Sequence, residues 1–338
     1  MKTRSLRRKR LFGNLLTYCI VAAAFVILQL LNAGGMLSPS LQGQLVPICA
    51  YVTMAVALNL VVGISGELSL GHAGFMSVGA FSGVVASISL QELIPMGPLR
   101  LRGDYLAIVT LAFGEIIKNI INILYVGVDE NGLHFSTSSE AALNLSETGK
   151  AILKGPMGVT ANVKLSSFTA GFLLVMVALI VVLNLVNSRS GRAIMALRDN
   201  RIAAESVGIS VTKYKMIAFV VSAALAGAAG TLYGCGQITF VATKFDFNTS
   251  LLILVFVVLG GLGNMWGSAI AAAALTILPE ALRQFSEFRM LVYAIVLILV
   301  MLATNNPTLR GFFTRLFRRE KEEAAPAASP VKGGGGHE

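Results

Sequence analysis

The feature that most constrains this chain is a repeated one: uncharged apolar runs, each close to the length a helix needs to cross a hydrocarbon core. About 20 apolar residues span such a core as a helix, and about nine runs approach that length. They cover roughly 11–32, 43–64, 68–90, 105–126, 167–187, 216–235, 249–264, 266–284 and 288–304. The chain is 55% hydrophobic and only 13% charged, against roughly a quarter charged in soluble domains. It cannot cover its exterior with polar groups in water, so lipid must be its solvent. In lipid each backbone polar group has to be paired within its own segment, which leaves the helix as the element for runs of this length. The expected fold is all-α, a polytopic transmembrane helix bundle. With 9 prolines and no long polar linker before the C-terminal tail, the runs form one domain.

The net charge of +10 does not point to nucleic acid, because the basic residues sit at the ends of the apolar runs. Lys2, Arg4, Arg7, Arg8, Lys9 and Arg10 precede the first run. That start resembles a signal peptide, but the run is long and further spans follow, so it reads as an uncleaved first helix. Residues 188–215 carry Arg189, Arg192, Arg198, Arg201, Lys213 and Lys215, and Arg310, Arg315, Arg318, Arg319 and Lys321 follow the last run. Basic flanks stay inside, so all three regions are expected in the cytoplasm. The segment 127–166, with Asp129, Glu130, Glu140 and Glu147, is the expected external loop. The organisation is a basic N-terminus over 1–10, a membrane domain over 11–310, and a basic tail over 311–338 whose composition predicts disorder.

These assignments conflict at one place. Both termini inside require an even number of crossings. Counting from the two ends meets a contradiction at 91–104, which is too short and too polar to cross and carries Arg100 and Arg102. Either 68–90 is re-entrant, or one crossing is missing. The glycines of 68–90 and the arginines beyond it favour re-entry or tilting of that segment.

Several segments stand out for function. In 189–209, Ile194, Leu197, Ile202 and Val207 recur at near-helical spacing among charged residues, which predicts a short amphipathic helix ended by Gly208. Such a helix either docks into a partner's groove or lies on lipid headgroups. Gly63-Ile-Ser-Gly66 and Gly260-Gly-Leu-Gly263 each interrupt a long apolar region. They read as broken-helix segments whose freed backbone groups line a solute path. Glu115 and Lys118 share one face of run 105–126, as a cavity wall or as a self-neutralising pair. His72 is either a satisfied structural residue or a proton relay. The small-xxx-small patterns Gly79–Gly83, Gly230–Gly234 and Gly263–Gly267 predict close helix packing. Cys19, Cys49 and Cys235 lie in or beside apolar runs and are expected buried; their spacing predicts neither disulfide nor metal site.

Four long segments together resemble one family. They are Ala57-Leu-Asn-Leu-Val-Val-Gly-Ile-Ser-Gly-Glu-Leu-Ser-Leu-Gly-His-Ala-Gly-Phe75, Arg100-Leu-Arg-Gly-Asp-Tyr through Glu115-Ile116, Gly191-Arg-Ala-Ile-Met-Ala-Leu-Arg-Asp-Asn-Arg-Ile-Ala-Ala-Glu-Ser-Val-Gly-Ile209, and Phe256-Val-Val-Leu-Gly-Gly-Leu-Gly-Asn-Met-Trp-Gly267. Over roughly 45–310 the chain resembles the branched-chain amino-acid (LivM-type) permeases of ABC importers. The resemblance implies a multi-pass subunit of the bacterial inner membrane that translocates branched-chain or related amino acids. Its partners would be a second permease subunit, two cytoplasmic ATP-binding subunits and an extracytoplasmic solute-binding protein, together with membrane lipid and no nucleic acid. It also implies a coupling loop for the ATPases at Arg189, Gly191, Arg192, Arg198, Ala204, Glu205 and Gly208. The candidate translocation-path residues are Asn59, Gly63, Gly66, His72, Glu115, Gly260 and Gly263.

The chain has no Gly-x-x-x-x-Gly-Lys-Ser/Thr, so ATP hydrolysis belongs to partners. No catalytic constellation is present to predict an enzyme, and no cofactor or metal is expected. Members of the family carry a further apolar span just before the segment matching Arg100–Tyr105, at the place where the crossing count fails. Two alternatives follow: a stand-alone secondary transporter, or a defective permease paralogue with an internal deletion.

Overall fold

Apolar runs with few charges and few prolines become helices. The computed structural model describes residues 2–89, 104–130, 132–146, 149–160 and 166–281, with positions 295 and 298. These belong to a unit that ends at Arg283, save the last two positions, which fall in a second unit. The connector 91–103 with Arg100 and Arg102, most of the apolar run 288–304, and the tail 311–338 lie outside the described residues.

The long helices are α1 (Lys2–Ala33), α2 (Pro39–Asn59), α3 (His72–Ser89), α4 (Asp104–Ile123) and α5 (Phe168–Asn187). Two short helices follow, α6 (Arg189–Asp199) and α7 (Arg201–Ser206). Then come α8 (Val211–Gly236), α9 (Phe247–Gly260) and α10 (Met265–Ala281). A π-helical turn, Leu60–Ser65, prolongs α2. Among the described residues, three helical stretches are long and apolar enough to cross a membrane unaided: Pro39–Ser65, Phe168–Asn187 and Val211–Gly236.

The helix-bundle expectation holds, with one addition. The segment expected to be a loop contains β1 (Tyr125–Asp129), β2 (Gly132–Ser136), β3 (Lys150–Lys154) and β4 (Val159–Thr160). With β5 (Thr239–Phe240) these make an antiparallel sheet in the order β2-β1-β3-β4-β5. The sheet forms at one end of the bundle, where α4, α5 and α8 all terminate; α6 and α7 mark the other end.

Packing is closest where glycines remove side chains. A Cβ at Gly79 would lie 1.8 Å from the Gly227 carbonyl oxygen, one at Gly230 1.9 Å from that of Met76, and one at Gly74 2.6 Å from the Gly114 Cα. The helices therefore meet backbone to backbone, the arrangement that replaces hydrophobic association in lipid. Gly230→Ala should accordingly destabilise the bundle by about 2 kcal/mol or more, since backbone cannot yield as a side chain can. Gly43→Ala, with no atom within 4 Å of the new Cβ, should leave the thermal midpoint in detergent unchanged or raised.

The glycines of α3 thus serve close approach and not bending. Within the described residues, His72–Ser89 shows none of the breaks that a re-entrant segment was expected to use: α3 is one uninterrupted helix lying along α8. His72 faces Ser222, and Ala80 faces Gly234, so the two run in the same direction. So do α3 and α4. Gly71 abuts Thr110, Gly74 abuts Gly114, and further along Phe81 reaches Phe245 while Lys118 acts on neighbouring Asp246. At 1.5 Å per residue, Ser89 and Asp104 are offset along the bundle by roughly 36 Å, whereas fifteen residues of helix advance only about 22 Å.

The cysteines differ in part from expectation. Cys49 is buried and Cys235 half-buried, but Cys19 faces outward from α1; all are free thiols.

Candidate functional site

The two glycine interruptions, far apart in sequence, meet in space. At the first, α2 loosens into the π-helical turn and stops at Gly66, whose φ of +73° suits glycine. At the second, α9 gives way to α10 through Gly261 and Gly263, with φ of +93° and +81°. A Cβ at Gly63 would lie 2.2 Å from the Gly263 nitrogen. Asn59 holds the junction: its Oδ1 accepts from the Gly263 N–H at 2.8 Å, and its Nδ2 donates to Ser268 Oγ at 2.7 Å. Asn59 and Ser268 are fully buried, so these bonds have no competition from water.

Arg198 of α6 closes the group. Its Nη1 donates to the Gly63 carbonyl at 2.9 Å, a backbone oxygen that the irregular turn leaves available. Its stem lies on Gly66, where a Cβ would come within 2.6 Å of the arginine Cγ. Arg198 thus connects the peripheral helix to the first interruption, which in turn abuts the second through Gly63 and Gly263. It also reaches Asp199 through Nε and Nη2.

The segment expected to form a single amphipathic helix is two helices. Asn200 is the reason: it leaves the helical region and caps α7 by accepting from the Ala203 N–H at 3.0 Å. The four expected apolar positions therefore part company. Ile194 and Leu197 pack inward with Gly191 and Ala204, whereas Ile202 and Val207 stand 80% and 74% exposed. Gly191 permits the tight turn from α5, since a Cβ there would meet the Leu185 and Val186 carbonyls at 2.3 Å. Gly208 ends α7 at φ +84°, with Ile209 N–H bonded to the Ala204 carbonyl, a Schellman closure. Arg189, Arg192 and Glu205 are exposed, and Glu205 pairs with Arg201 at 3.5 Å.

His72 is buried between Ser69 Oγ, 2.8 Å from Nδ1, and Ser222 Oγ, 2.7 Å from Nε2; Ser222 donates onward to the Ala57 carbonyl. Both ring nitrogens are satisfied by hydroxyls, and the ring fastens α3 to α8. Glu115 pairs with Lys118 on its own helix. Residues not foreseen from the sequence complete the region: Ser268 and Ser222 as hydrogen-bond partners, and Glu67, which pairs with Lys215 and anchors the stretch after Gly66 to the start of α8. A carboxylate immediately after a glycine break in an apolar run is a legible signal for Glu67; the serines carry none. Among the described residues no cluster of His, Cys, Asp or Glu is arranged to hold a metal ion.

Comparison with known proteins bears on this arrangement. The family model described as "Branched-chain amino acid transport system / permease component" matches residues 40–301. The chain is similar to the high-affinity branched-chain amino acid transport system permease protein LivM of Salmonella typhimurium, 34% identical over 281 residues, covering 75% of this chain and 66% of the relative. Against the LivM of Escherichia coli it is 33% identical over 282 residues, with the same coverage. The chain thus spans slightly under two thirds of the length of these relatives. A more distant similarity, 27% over 265 residues, is to the ribose import permease protein RbsC of Escherichia coli, covering 75% of this chain and 81% of that one. No solved structure matches. Within the matched region the chain is short: 75% of its 338 residues is about 254, so the 281-residue Salmonella alignment exceeds its share by about 27 positions.

Proposed function

This chain belongs to the branched-chain amino acid transport system permease family, and we propose that it is the membrane subunit of an ABC importer for branched-chain or related amino acids. The observation that carries the reading is the contact of Arg198 with Gly63 and Gly66. It joins a peripheral helix pair to the place where membrane helices lose regular structure. In this reading α6 and α7 face the cytoplasm, and Ile202 and Val207 seat in a groove of an ATP-binding subunit, with Arg189, Arg192 and Glu205 on the rim. ATP binding there shifts α6, and Arg198 passes the shift to the junction of Gly63 with Gly263. Alternating access then follows from rearrangement at that junction, while Asn59 keeps the interruptions together. His72 holds α3 to α8 and is not a relay, and the Glu115–Lys118 pair neutralises itself. A second permease subunit and a solute-binding protein complete the importer in the bacterial inner membrane, with both termini cytoplasmic.

Two measurements test this. Ile202→Glu or Glu205→Arg should reduce co-purification with the ATP-binding subunits encoded alongside by about ten-fold, with unchanged membrane insertion; unchanged co-purification and uptake across both would sink the docking assignment. Cysteines placed at positions 140 and 200 should label from opposite faces, the first from outside. Labelling from one face would overturn the orientation.

A second reading is favoured by one specific geometry. α3 and α4 run side by side in the same direction, joined by too few residues for an intervening helix, in a chain about 27 positions short of its relative. We infer that one crossing has been lost between them, which makes this a deleted form of an importer permease.

A further inference from the structure

The two ends of the segment 198–215 close on one short stretch of the membrane domain. At its start Arg198 bonds the Gly63 carbonyl and lies along Gly66; at its end Lys215, in the second turn of α8, pairs with Glu67. The segment that carries exposed Ile202 and Val207 therefore grips residues 63–67 twice.

The two grips differ in kind. Lys215 holds a carboxylate whose side chain is only 9% exposed, and a buried charge that loses its partner is among the costliest defects a fold can carry. Arg198 holds a neutral carbonyl, and its side chain is 39% exposed, so water can take over that bond at small cost. The helix bearing Lys215 is also fixed to the bundle: Ser222 bonds both His72 and the Ala57 carbonyl, and Gly230 abuts Met76. The connection between α7 and α8 is held less firmly. Gly208 sits there at φ +84°, and Ser210 caps α8 without a side-chain bond. Residues at element ends like these are where a hinge absorbs a change of dihedral angle.

We propose that Glu67 and Lys215 form a fixed pin: they hold the start of α8 while α6 and α7 turn about residues 207–210, and Arg198 is the contact that moves. The inference rests on the permease reading above, and in it Glu67 and Lys215 are positioning residues. With the pin in place, a push on Ile202 reaches Gly63. Without it the start of α8 gives way instead, and ATP is hydrolysed with no solute moved.

The test has one part on the full chain alone and one on the assembled importer. In lipid nanodiscs, Glu67→Gln should speed amide hydrogen exchange over 207–218 by about five-fold or more and leave α5 unchanged, whereas Arg198→Ala should not alter 211–218. Exchanging the charges, Glu67→Lys with Lys215→Glu, should return exchange to within about two-fold of the parent. With the ATP-binding subunits bound, Glu67→Gln should lower leucine uptake by about five-fold or more while ATP hydrolysis stays within about two-fold. A pair needed only for folding would lower both together. In a chain whose three native cysteines are replaced by alanine, Glu67→Cys with Lys215→Cys should uncouple in the same way. Bridging the two thiols with a short, reducible bis-methanethiosulfonate should then restore uptake. Unchanged exchange in Glu67→Gln, parallel loss of hydrolysis and uptake, or failure of the bridge to restore uptake each overturns the pin. Normal parent uptake with unchanged exchange in Glu67→Gln sinks the pin and leaves the permease reading standing. The expected exchange in a parent that binds no ATP-binding subunit keeps the tether of α8 and sinks the permease reading.

Discussion

Replacing Arg198 with alanine should lower ATP-driven uptake by at least ten-fold while leaving co-purification with the ATP-binding subunits within about two-fold of the parent. A ten-fold loss corresponds to about 1.4 kcal/mol, the scale of one hydrogen bond from a charged donor together with the packing of its stem. The split between the two readouts is the informative part. Arg198 points inward to the Gly63 carbonyl, whereas Ile202 and Val207 face outward. Arg198→Lys should rescue only partly, because a point charge cannot hold Gly63 and Asp199 at once as the planar fork does. Gly66→Ala should reproduce the defect from the opposite side. Its φ of +73° costs a non-glycine residue about 1–2 kcal/mol, and the new Cβ meets the arginine stem. Normal uptake by Arg198→Ala would show that the shift does not travel through this contact.

The second large effect concerns the junction between α3 and α4. Inserting an apolar helix of roughly 27 residues between Gln91 and Arg100, long enough to cross and turn, should raise uptake at least ten-fold and increase the folded yield. The reasoning is geometric. Helices that run in the same direction need a return crossing, and exposed non-helical backbone in lipid costs several kcal/mol for each unpaired polar group. The insertion also restores the even crossing count required by basic flanks at both ends. Equal uptake by the parent and the lengthened chain would refute the deletion.

Much of this architecture is legible in the sequence because lipid imposes a simple rule: uncharged length becomes helix. Runs 43–64, 167–187 and 216–235 correspond to α2, α5 and α8 within a few residues, apart from the π-helical end of α2. The two glycine interruptions were also visible, since each breaks an apolar run. Their meeting was not, because nothing local in Gly63 or Gly263 encodes a partner two hundred residues away. The sheet is not legible for a different reason. Its strands are only two to five residues long, below the length at which alternation is distinctive. The Asn131-Gly132 step where Val-rich β1 turns into β2 is nonetheless a hairpin signal, with Gly132 opening β2 opposite Asp129. The outward turn of Ile202 and Val207 is not legible from spacing, because Asn200 starts a new helix between them and Ile194 and Leu197.

The small sheet has a mechanical meaning. It receives α4 through β1 and takes in β5, which follows α8, while the Ser166 N–H, just before α5, bonds the Cys235 carbonyl at the end of α8. Three helices are therefore laced together by backbone bonds at one end and held by side chains such as Arg198 and Lys215 at the other, like the legs of a tripod joined under its plate. Motions that splay the laced ends must break a row of backbone bonds; motions that pivot about them leave the sheet intact and strain only side-chain contacts such as Glu67–Lys215 and Arg198–Gly63. A pivot of 10° about the plate would carry the foot of a 20-residue, 30 Å leg through about 5 Å. Any such pivot would thus displace most the place where the feet stand, at the glycine junction and Arg198, and least the segments beneath the sheet.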